Sequence, residues 1–322
     1  MGSSMSSVLA IVPVYNGEPY LLETLRSLGR QTRAPDRVVV IDDGSTDGTR
    51  GLFDQFCAEF PAIRAEWRPN PRNLGLFPNL NRCLEAAPEA DFLHVLLADD
   101  LVTPDFYETL LPPLEAAPAP SLAYSLAEAI DGQSRRLRDI GAAPVAPVRD
   151  ISHAEFIGRQ CELQTVFCGS IVVKTGGQAL RTRFPTEFPQ VGDCVFYAEL
   201  AAECRRLVEV GRRLTRIRLH TTNATSRNAR NLEAFVRDEW RAIQRIAPLL
   251  RRRGLARILH AERMKMLFAA RTVVKAQIFA ASNPPQAVET RRIGLGIAGR
   301  PRWEAARLVV WLRDRVSGRP GY

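Results

Sequence analysis

The sequence predicts an α/β fold in which a mostly parallel central sheet is flanked by helices and followed by a helical C-terminal extension. Short runs of β-branched residues alternate with segments of helical periodicity through the first hundred residues. This alternation is typical of a parallel sheet that helices cover on both faces. Strand signals end near residue 225, where the chain also becomes strongly basic. We therefore expect an α/β domain over residues 5–224 and a basic helical region over residues 225–322.

The first two strands are predicted from the continuous apolar runs Val8–Val14 and Arg37–Asp42. Runs of this kind are expected where both faces of a strand are buried, as in parallel sheets. Between them, leucines spaced three and four residues apart lie on one face of a helix that ends near Gly29. The alternation continues with a helix at 47–60, a strand at 63–67, a helix at 78–87 and a strand at 92–97.

The middle of the chain is less regular. Thr103, followed by proline, predicts the N-cap of a helix that runs through Leu114. Residues 132–147 are rich in Arg, Ala and Pro and predict a loop or excursion, whereas Ser152 and Glu155 form a capping box. The remaining predicted elements are a strand at 170–174, a helix at 193–204, a strand pair or one bent strand at 207–219, and helices at 231–250, 255–281 and 303–316.

Composition excludes a disordered chain, because 46% of the 322 residues are hydrophobic and 25% are charged. The net charge of +9 is unevenly distributed: residues 1–204 carry −10 and residues 205–322 carry +19. A basic segment of this kind suggests contact with phosphates, nucleic acid or an anionic membrane. Because 41 of the 44 basic residues are arginine, a GC-rich genome is an alternative interpretation of the bias.

The N-terminal apolar run has no basic segment before it and no cleavage site after it, so we expect no secretory signal. No stretch reaches the roughly 18 apolar residues of a membrane span. The six cysteines show no C-x-x-C pair or zinc-type spacing. We therefore expect reduced thiols and a cytoplasmic protein, which could also lie peripherally on the inner face of the membrane.

Polar residues follow three of the predicted strands, where open α/β sheets bind their ligands. The first strand leads into Tyr15-Asn16-Gly17, the second into Asp42-Asp43-Gly44-Ser45, and the fourth into Asp99-Asp100. Adjacent carboxylates repel each other unless a cation or hydroxyl donors accompany them, and Mg²⁺ binds such carboxylates together with diphosphates. A plain turn is the alternative for one Asp pair. Two pairs at successive strand ends favour a ligand site.

These motifs together resemble the family 2 glycosyltransferases. The resemblance rests on Val12–Asn16, Gln31-Thr32, Val40–Asp47, Asn73-Leu74-Gly75, Asn81 and Ala98-Asp99-Asp100. It is close over residues 7–115 and looser to about residue 225. It implies the A-type glycosyltransferase fold and a nucleotide-sugar donor. By that resemblance, the donor-binding residues are Pro13, Tyr15, Asn16, Asp42, Asp43, Asn73, Gly75 and Asp99.

The resemblance also implies a Mn²⁺ or Mg²⁺ site. Asp99 and Asp100 match the metal-binding carboxylate motif of the family, although Leu97 stands where its first aspartate usually lies. His220 ends a predicted strand at a place where several relatives carry a metal- or phosphate-binding histidine. The alternative for His220 is a hydrogen-bonded polar residue at a strand end.

The catalytic base implied by the resemblance is Asp193, in a motif where Gly192 replaces the usual glutamate. Its carboxylate would deprotonate the acceptor hydroxyl. Asp193 also suits an N-cap, and the two roles are compatible. Upstream, Cys168-Gly169-Ser170 resembles the segment that flanks donor sugar and acceptor, with a glycine turn as the alternative. The polar loop Thr221–Arg230 could close over the donor phosphates.

Three interpretations of the basic C-terminal region compete: a solvated helical surface, contact with an anionic membrane, and packing in a homo-oligomer. The mixture of tryptophan, aliphatic residues and arginine in 303–313 is typical of an interfacial helix. We expect no nucleic-acid partner, because the region contains no recognised nucleic-acid motif.

The resulting prediction is an inverting, metal-dependent glycosyltransferase with a UDP- or dTDP-sugar donor. Its acceptor would be a hydroxyl of a glycan, a lipid-linked glycan or a small molecule, in bacterial polysaccharide, glycolipid or glycoconjugate synthesis. The alternative is a non-catalytic nucleotide-sugar-binding module on the same fold.

Overall fold

A computed structural model describes residues 6–141, 145–164, 166–220 and 232–316. In these ranges ten strands form one sheet whose main path has the order β3-β2-β1-β4-β9-β6-β10-β5, with β7 beside β6 and β8 beside β10. The strands are β1 Val8–Val14, β2 Arg37–Asp42, β3 Arg64–Pro69, β4 Phe92–Val95, β5 Leu101–Val102, β6 Ser121–Ile130, β7 Arg136–Ile140, β8 Val148–Asp150, β9 Ile171–Lys174 and β10 Arg206–Arg218.

The helices pack on both faces of this sheet and at the C-terminal end of the chain. They are α1 Leu21–Gly29, α2 Thr49–Glu59, α3 Leu76–Glu85, α4 Phe106–Leu110, α5 Pro112–Glu115, α6 His153–Cys161, α7 Gly192–Glu203, α8 Leu232–Ile246, α9 Gly254–Ser282, α10 Pro284–Ala298 and α11 Arg300–Val316. The predicted α/β fold with a helical C-terminal region is confirmed.

The direction of the strands determines where their ends meet. β1 pairs in parallel with β2 and β4, β2 with β3, and β6 with β10. β9 is antiparallel to both β4 and β6, so β4 and β6 run the same way. The carboxyl ends of β1, β2, β3, β4, β6 and β10 therefore share one edge of the mixed sheet, and β9 begins at that edge. We call it the carboxyl edge.

The hydrophobic core lies on both sides of the sheet. Successive side chains of a strand point to opposite faces. In β1, Val8 and Ala10 join a cluster with α1 and α2, whereas Leu9 and Ile11 face a cluster with α3 and α7. This double burial explains why the run contains no polar residue.

The helices after residue 231 share the core of the sheet. Ile243 of α8 and Phe268 of α9 belong to the same buried cluster as residues of α6 and α7. Arg245 of α8 also forms an ion pair with Glu199 of α7, with Nε and Oε1 2.7 Å apart. A smaller core joins α9 and α11, in which Trp303 is 2% exposed.

Three sequence predictions need correction. The predicted helix from Thr103 to Leu114 is two short helices, because its N-cap is Asp105 and Pro112 begins a second helix. Residues 132–147 are not simply a loop, since they contain β7, which pairs with β6. A helix over residues 284–298 was not predicted: α10 begins there, with Asn283 as its N-cap and proline in its first turn.

Other uncertain elements are resolved by pairing. The segment predicted as a strand pair or a bent strand is one strand, β10, with register irregularities between Val210 and Thr215. β6 had no clear signal because its sequence SLAYSLAEAI contains three helix-favouring alanines and only one β-branched residue, Ile130. The first of the two hydrogen bonds of the predicted capping box is confirmed: Ser152 Oγ accepts a hydrogen bond from the Glu155 amide at 3.1 Å.

Candidate active site

The carboxyl edge brings together loops that are far apart in the sequence. The loops after β1, β2, β3 and β4, the turn between β6 and β7, and the residues after β10 all lie there because those strands run in one direction. The segment Cys168–Ser170 lies there for the opposite reason, since it precedes the antiparallel strand β9. Ligands of open α/β sheets bind at such edges.

The loops after β1 and β2 are tied to each other. The Asn16 amide donates to Ser45 Oγ at 2.9 Å, and Asn16 Oδ1 accepts from the Thr46 amide at 2.9 Å. Asn16 adopts a left-handed backbone with φ of 51°, a conformation that asparagine tolerates better than most residues. Tyr15 is 44% exposed beside it, whereas Pro13 is buried inside β1. Tyr15 and Asn16 are thus presented to solvent, and Pro13 supports them from below.

The two aspartates after β2 have different surroundings. Asp42 uses Oδ1 to accept a hydrogen bond from the Ser45 amide at 3.0 Å. Asp43 is 2% exposed, and its carboxylate accepts hydrogen bonds from the Leu74 and Gly75 amides, both at 2.9 Å. Asp43 therefore holds the loop after β3 in place. Any contribution of Asp43 to donor binding is made through this loop.

Gly75 ends that loop and starts α3. Its φ of 90° is a conformation that an L side chain rarely adopts, and no atom lies within 4 Å of the place where a Cβ would be. A glycine is required here by backbone conformation rather than by crowding. Asn73, two residues earlier, is exposed at the same edge.

Asp99 and His220 meet at the carboxyl edge although 121 positions separate them. His220 Nε2 lies 3.0 Å from Asp99 Oδ2, and the side chains are 15% and 28% exposed. Asp100 is instead buried, and its Oδ1 accepts a hydrogen bond from the Arg218 amide at 2.9 Å. Burial raises the pKa of the Asp100 carboxyl well above its usual value, and the charge of Asp99 raises it further.

The structure thus brings two of the three predicted metal ligands into contact. Within residues 6–141, 145–164, 166–220 and 232–316, no group of three His, Cys, Asp or Glu side chains is placed to hold a metal ion. Asp99 is the more accessible of the two adjacent aspartates. The predicted loop Thr221–Arg230 lies outside the described residues.

Arg218 and Tyr20 also lie at this edge, and neither was identified from the sequence. Arg218 has a fully buried side chain and forms an ion pair with Glu23 of α1, with Nη2 and Oε2 2.7 Å apart. Its guanidinium carbon lies 4.5 Å from the centre of the Tyr20 ring. No sequence signal distinguishes Arg218 from the other arginines of β10; only its burial does.

Asp193 lies in the first turn of α7 rather than at its N-cap, which is Val191, and its Oδ1 accepts a hydrogen bond from the Cys194 amide at 2.9 Å. The same helix contacts the edge through Tyr197, whose hydroxyl donates a hydrogen bond to Cys168 Sγ at 3.0 Å. Burial raises the pKa of the Cys168 thiol to about 12, and the charges of Asp193 and Asp100 both raise it. Both carboxylates are therefore near this thiol.

The neighbouring core residue His94 supports the same segment. Its Nε2 lies 3.0 Å from the Gly169 carbonyl oxygen and its Nδ1 lies 2.7 Å from the Tyr107 hydroxyl. Burial lowers the pKa of His94 to about 4, so the ring is neutral near pH 7. The neutral ring fixes the start of β9 to β4.

The curled mixed sheet with its polar carboxyl edge has the architecture of an A-type glycosyltransferase. Residues 9–185 match the sequence profile of Glycosyl transferase family 2. Because the match covers more than half of the chain, the protein belongs to glycosyl transferase family 2.

Curated relatives match the N-terminal part of the sequence. Glycosyltransferase GlyG of Streptococcus pneumoniae is 26% identical over 107 residues, which are 33% of this chain and 35% of GlyG. The uncharacterized glycosyltransferase YibD of Escherichia coli is 30% identical over 111 residues, which are 34% of this chain and 31% of YibD. The matched segment spans about a third of the length of these relatives.

Solved structures share the fold over most of the chain. S. aureus TarS 1-349 in complex with UDP-GlcNAc has a TM-score of 0.60 and 16% identity, with 94% of this chain and 92% of that chain covered. Mannosyltransferase PcManGT from Pyrobaculum calidifontis, in complex with GDP-Man and Mn²⁺, has a TM-score of 0.54 and 17% identity, with 97% of this chain and 88% of that chain covered.

Among the described helices, none is long and apolar enough to cross a membrane.

Proposed function

We propose that the protein is an inverting, metal-dependent glycosyltransferase that moves a sugar from a UDP- or dTDP-linked donor to an acceptor hydroxyl. The observation that supports this most strongly is the contact of Asp99 with His220 at the carboxyl edge, beside the loops after β1 and β2. A carboxylate and an imidazole at the edge where α/β sheets bind nucleotides suit a diphosphate and its cation.

The donor nucleotide would lie across the loops after β1, β2 and β3. The exposed ring of Tyr15 offers a stacking surface for the base, and Asp42 offers a carboxylate oxygen for a base N–H. Asn73 and Gly75 would line the same cleft, where the absence of a Cβ at Gly75 leaves open space. Asp43 would act by fixing this loop.

The residues at the edge fit Mn²⁺ or Mg²⁺ bound together with a diphosphate. Asp99 supplies a partly exposed carboxylate and His220 an imidazole nitrogen, which are ligands that such cations accept. Because the described residues contain no closed group of three ligands, diphosphate oxygens and water would complete the coordination. When bound, the cation would neutralise negative charge on the departing diphosphate. Asp100 would support the turn from within the protein.

Asp193 would act as general base. Its Oδ1 accepts the Cys194 amide, which fixes the carboxylate at the start of α7. An ionised carboxylate at this position can take the proton of the acceptor hydroxyl while the hydroxyl oxygen attacks the anomeric carbon. Attack from the side opposite to the diphosphate inverts the configuration of that carbon.

Release of the nucleoside diphosphate tests the proposal. Purified protein is incubated with UDP- and dTDP-sugars and with Mn²⁺, after a thermal-shift panel has selected the donors that raise the melting temperature. We expect slow hydrolysis that stops when EDTA removes the cation. Stabilisation by a donor without any release of UDP or dTDP would instead support the alternative, a non-catalytic nucleotide-sugar-binding module.

We also propose that the protein is cytoplasmic and that α11 contacts the anionic inner face of the membrane. The buried face of α11 packs on α9 through Trp303, Ala306 and Val310. The other side exposes four large apolar residues near three arginines: Leu308, Val309, Trp311, Leu312, Arg307, Arg313 and Arg315. This composition suits a helix that lies in an interface.

Vesicle sedimentation tests the membrane contact. We expect binding to vesicles that contain phosphatidylglycerol, weaker binding at high salt, and at least about tenfold weaker binding for the double variant Leu308→Glu/Leu312→Glu. Leu137→Glu is the matched control, because Leu137 is a 51% exposed leucine on β7. Equal binding by the double variant would contradict the proposal, and self-association lost in that variant would indicate a homo-oligomer surface.

A further inference from the structure

The buried arginine at the end of β10 is the most connected side chain of the carboxyl edge. The Arg218 side chain is fully buried and donates to four groups. The acceptors are the carbonyl oxygens of Asp99 at 2.8 Å and Asp131 at 3.1 Å, Ser134 Oγ at 2.9 Å and Glu23 Oε2 at 2.7 Å. These acceptors belong to three different segments: the β4 end, the β6–β7 turn and α1.

The same residue fixes the adjacent aspartates through its backbone. The Arg218 amide donates to Asp100 Oδ1 at 2.9 Å, while its Nε donates to the Asp99 carbonyl oxygen. The hydrogen bond to its carbonyl oxygen therefore restrains the main chain of Asp99, and the Asp99 carboxylate stays turned towards His220. Without the arginine, partly buried acceptors in three segments would lose their shared donor, which would loosen the turn.

Arg218 also contacts His220 indirectly, through an aromatic ring. The Tyr20 ring has the Arg218 guanidinium at 4.5 Å from its centre and the His220 ring centre at 5.0 Å. A guanidinium near a tyrosine ring at this distance is attracted to it. Arg218 thus restrains both partners of the Asp99–His220 contact, one through hydrogen bonds and one through Tyr20.

We propose that Arg218 and Tyr20 are positioning residues that set the geometry of Asp99 and His220 for a nucleotide diphosphate with its divalent cation. This inference rests on the proposed function. Arg218 is buried behind the pair, so it acts through Asp99 and Tyr20. Lysine cannot replace it, because a guanidinium presents five N–H groups in a planar fork and an ammonium presents three on one atom.

The test measures Mn²⁺ bound in the presence of UDP by electron paramagnetic resonance, which needs no turnover. We expect Arg218→Lys to bind the Mn²⁺–UDP complex at least about tenfold more weakly than the unmodified protein, as found when residues supporting metal ligands are changed. Turnover of Arg218→Lys should recover in excess Mn²⁺, which a misfolded protein would not show. Arg216→Lys is the control, since this half-exposed arginine of β10 forms an ion pair with Glu128.

A second pair of variants keeps the test decisive if Arg218→Lys does not fold. Tyr20 is only partly buried, so Tyr20→Phe and Tyr20→Leu should both keep the fold. We expect Tyr20→Phe to bind Mn²⁺–UDP like the unmodified protein and Tyr20→Leu to bind it more weakly, because only phenylalanine keeps the ring.

The outcomes separate this inference from the proposed function. If the unmodified protein binds Mn²⁺–UDP and the folded Arg218→Lys and Tyr20→Leu variants match it, the positioning role is wrong and the proposed function stands. If the unmodified protein binds neither Mn²⁺–UDP nor Mn²⁺–dTDP, the proposed function fails, and the positioning role fails with it.

Discussion

Replacing Asp193 by asparagine should lower glycosyl transfer by about a thousandfold, because general bases typically contribute a factor of about 10²–10⁴. The variant should still fold, since the asparagine oxygen can accept the Cys194 amide as Asp193 Oδ1 does. Donor affinity should stay within about twofold of the unmodified protein, because the base acts on the acceptor rather than on the nucleotide. Nucleotide release with acceptor measures the first effect, and calorimetric titration with UDP and Mn²⁺ measures the second.

Glu199→Gln is the matched control for this variant. Glu199 lies on the same helix, α7, but its carboxylate forms a surface ion pair with Arg245. We expect nearly unchanged transfer from this control, since surface ion pairs contribute little. Transfer by Asp193→Asn within about tenfold of the unmodified protein would show that another group removes the proton.

The second large effect is expected from Asp99. Asp99→Asn should weaken Mn²⁺-dependent UDP binding by at least about a hundredfold, because even residues behind a metal ligand are worth about ten- to a hundredfold in affinity. The loss should appear only when Mn²⁺ is present, since the proposed contacts with the base would be made by the loops after β1 and β2. Calorimetric titrations with and without Mn²⁺ measure this difference.

Asp54→Asn is the control for the lost charge. Asp54 is an exposed carboxylate of α2 that pairs with Arg50, with Nε and Oδ1 3.0 Å apart. Its removal changes the net charge by the same amount as Asp99→Asn. If both variants bind Mn²⁺–UDP alike, the cation is not held at Asp99, and the metal site proposed at the carboxyl edge is wrong.

The strands and helices of the first hundred residues could be predicted because burial leaves a clear pattern. β1 and β2 lie in the sheet interior, so Val8–Val14 and the segment 38–41 of β2 are apolar on both faces. The middle was harder, because β6 carries helix-favouring alanines and is a strand only through pairing with β9 and β10. The division at residues 224 and 225 stays a proposal.

The candidate site could be predicted where its residues lie close together in the sequence. The pairs Asp42-Asp43 and Asp99-Asp100 follow strands directly, and the carboxyl ends of parallel strands meet at one edge. The sequence did not distinguish the members of each pair. The structure does, because Asp43 and Asp100 bond inward to backbone amides, whereas Asp99 is partly exposed beside His220.

The sequence by itself determined the α/β layout, the acidic strand ends and the resemblance to family 2, because each depends on residues close together in the chain. Only the tertiary structure decided what distant segments do at the carboxyl edge. The antiparallel direction of β9 places Cys168 there, and the contacts of Arg218 join α1, the β4 end and the β6–β7 turn. The sequence around a buried arginine does not distinguish it from an exposed arginine. Burial of its side chain becomes favourable only when the fold supplies hydrogen-bond acceptors for it.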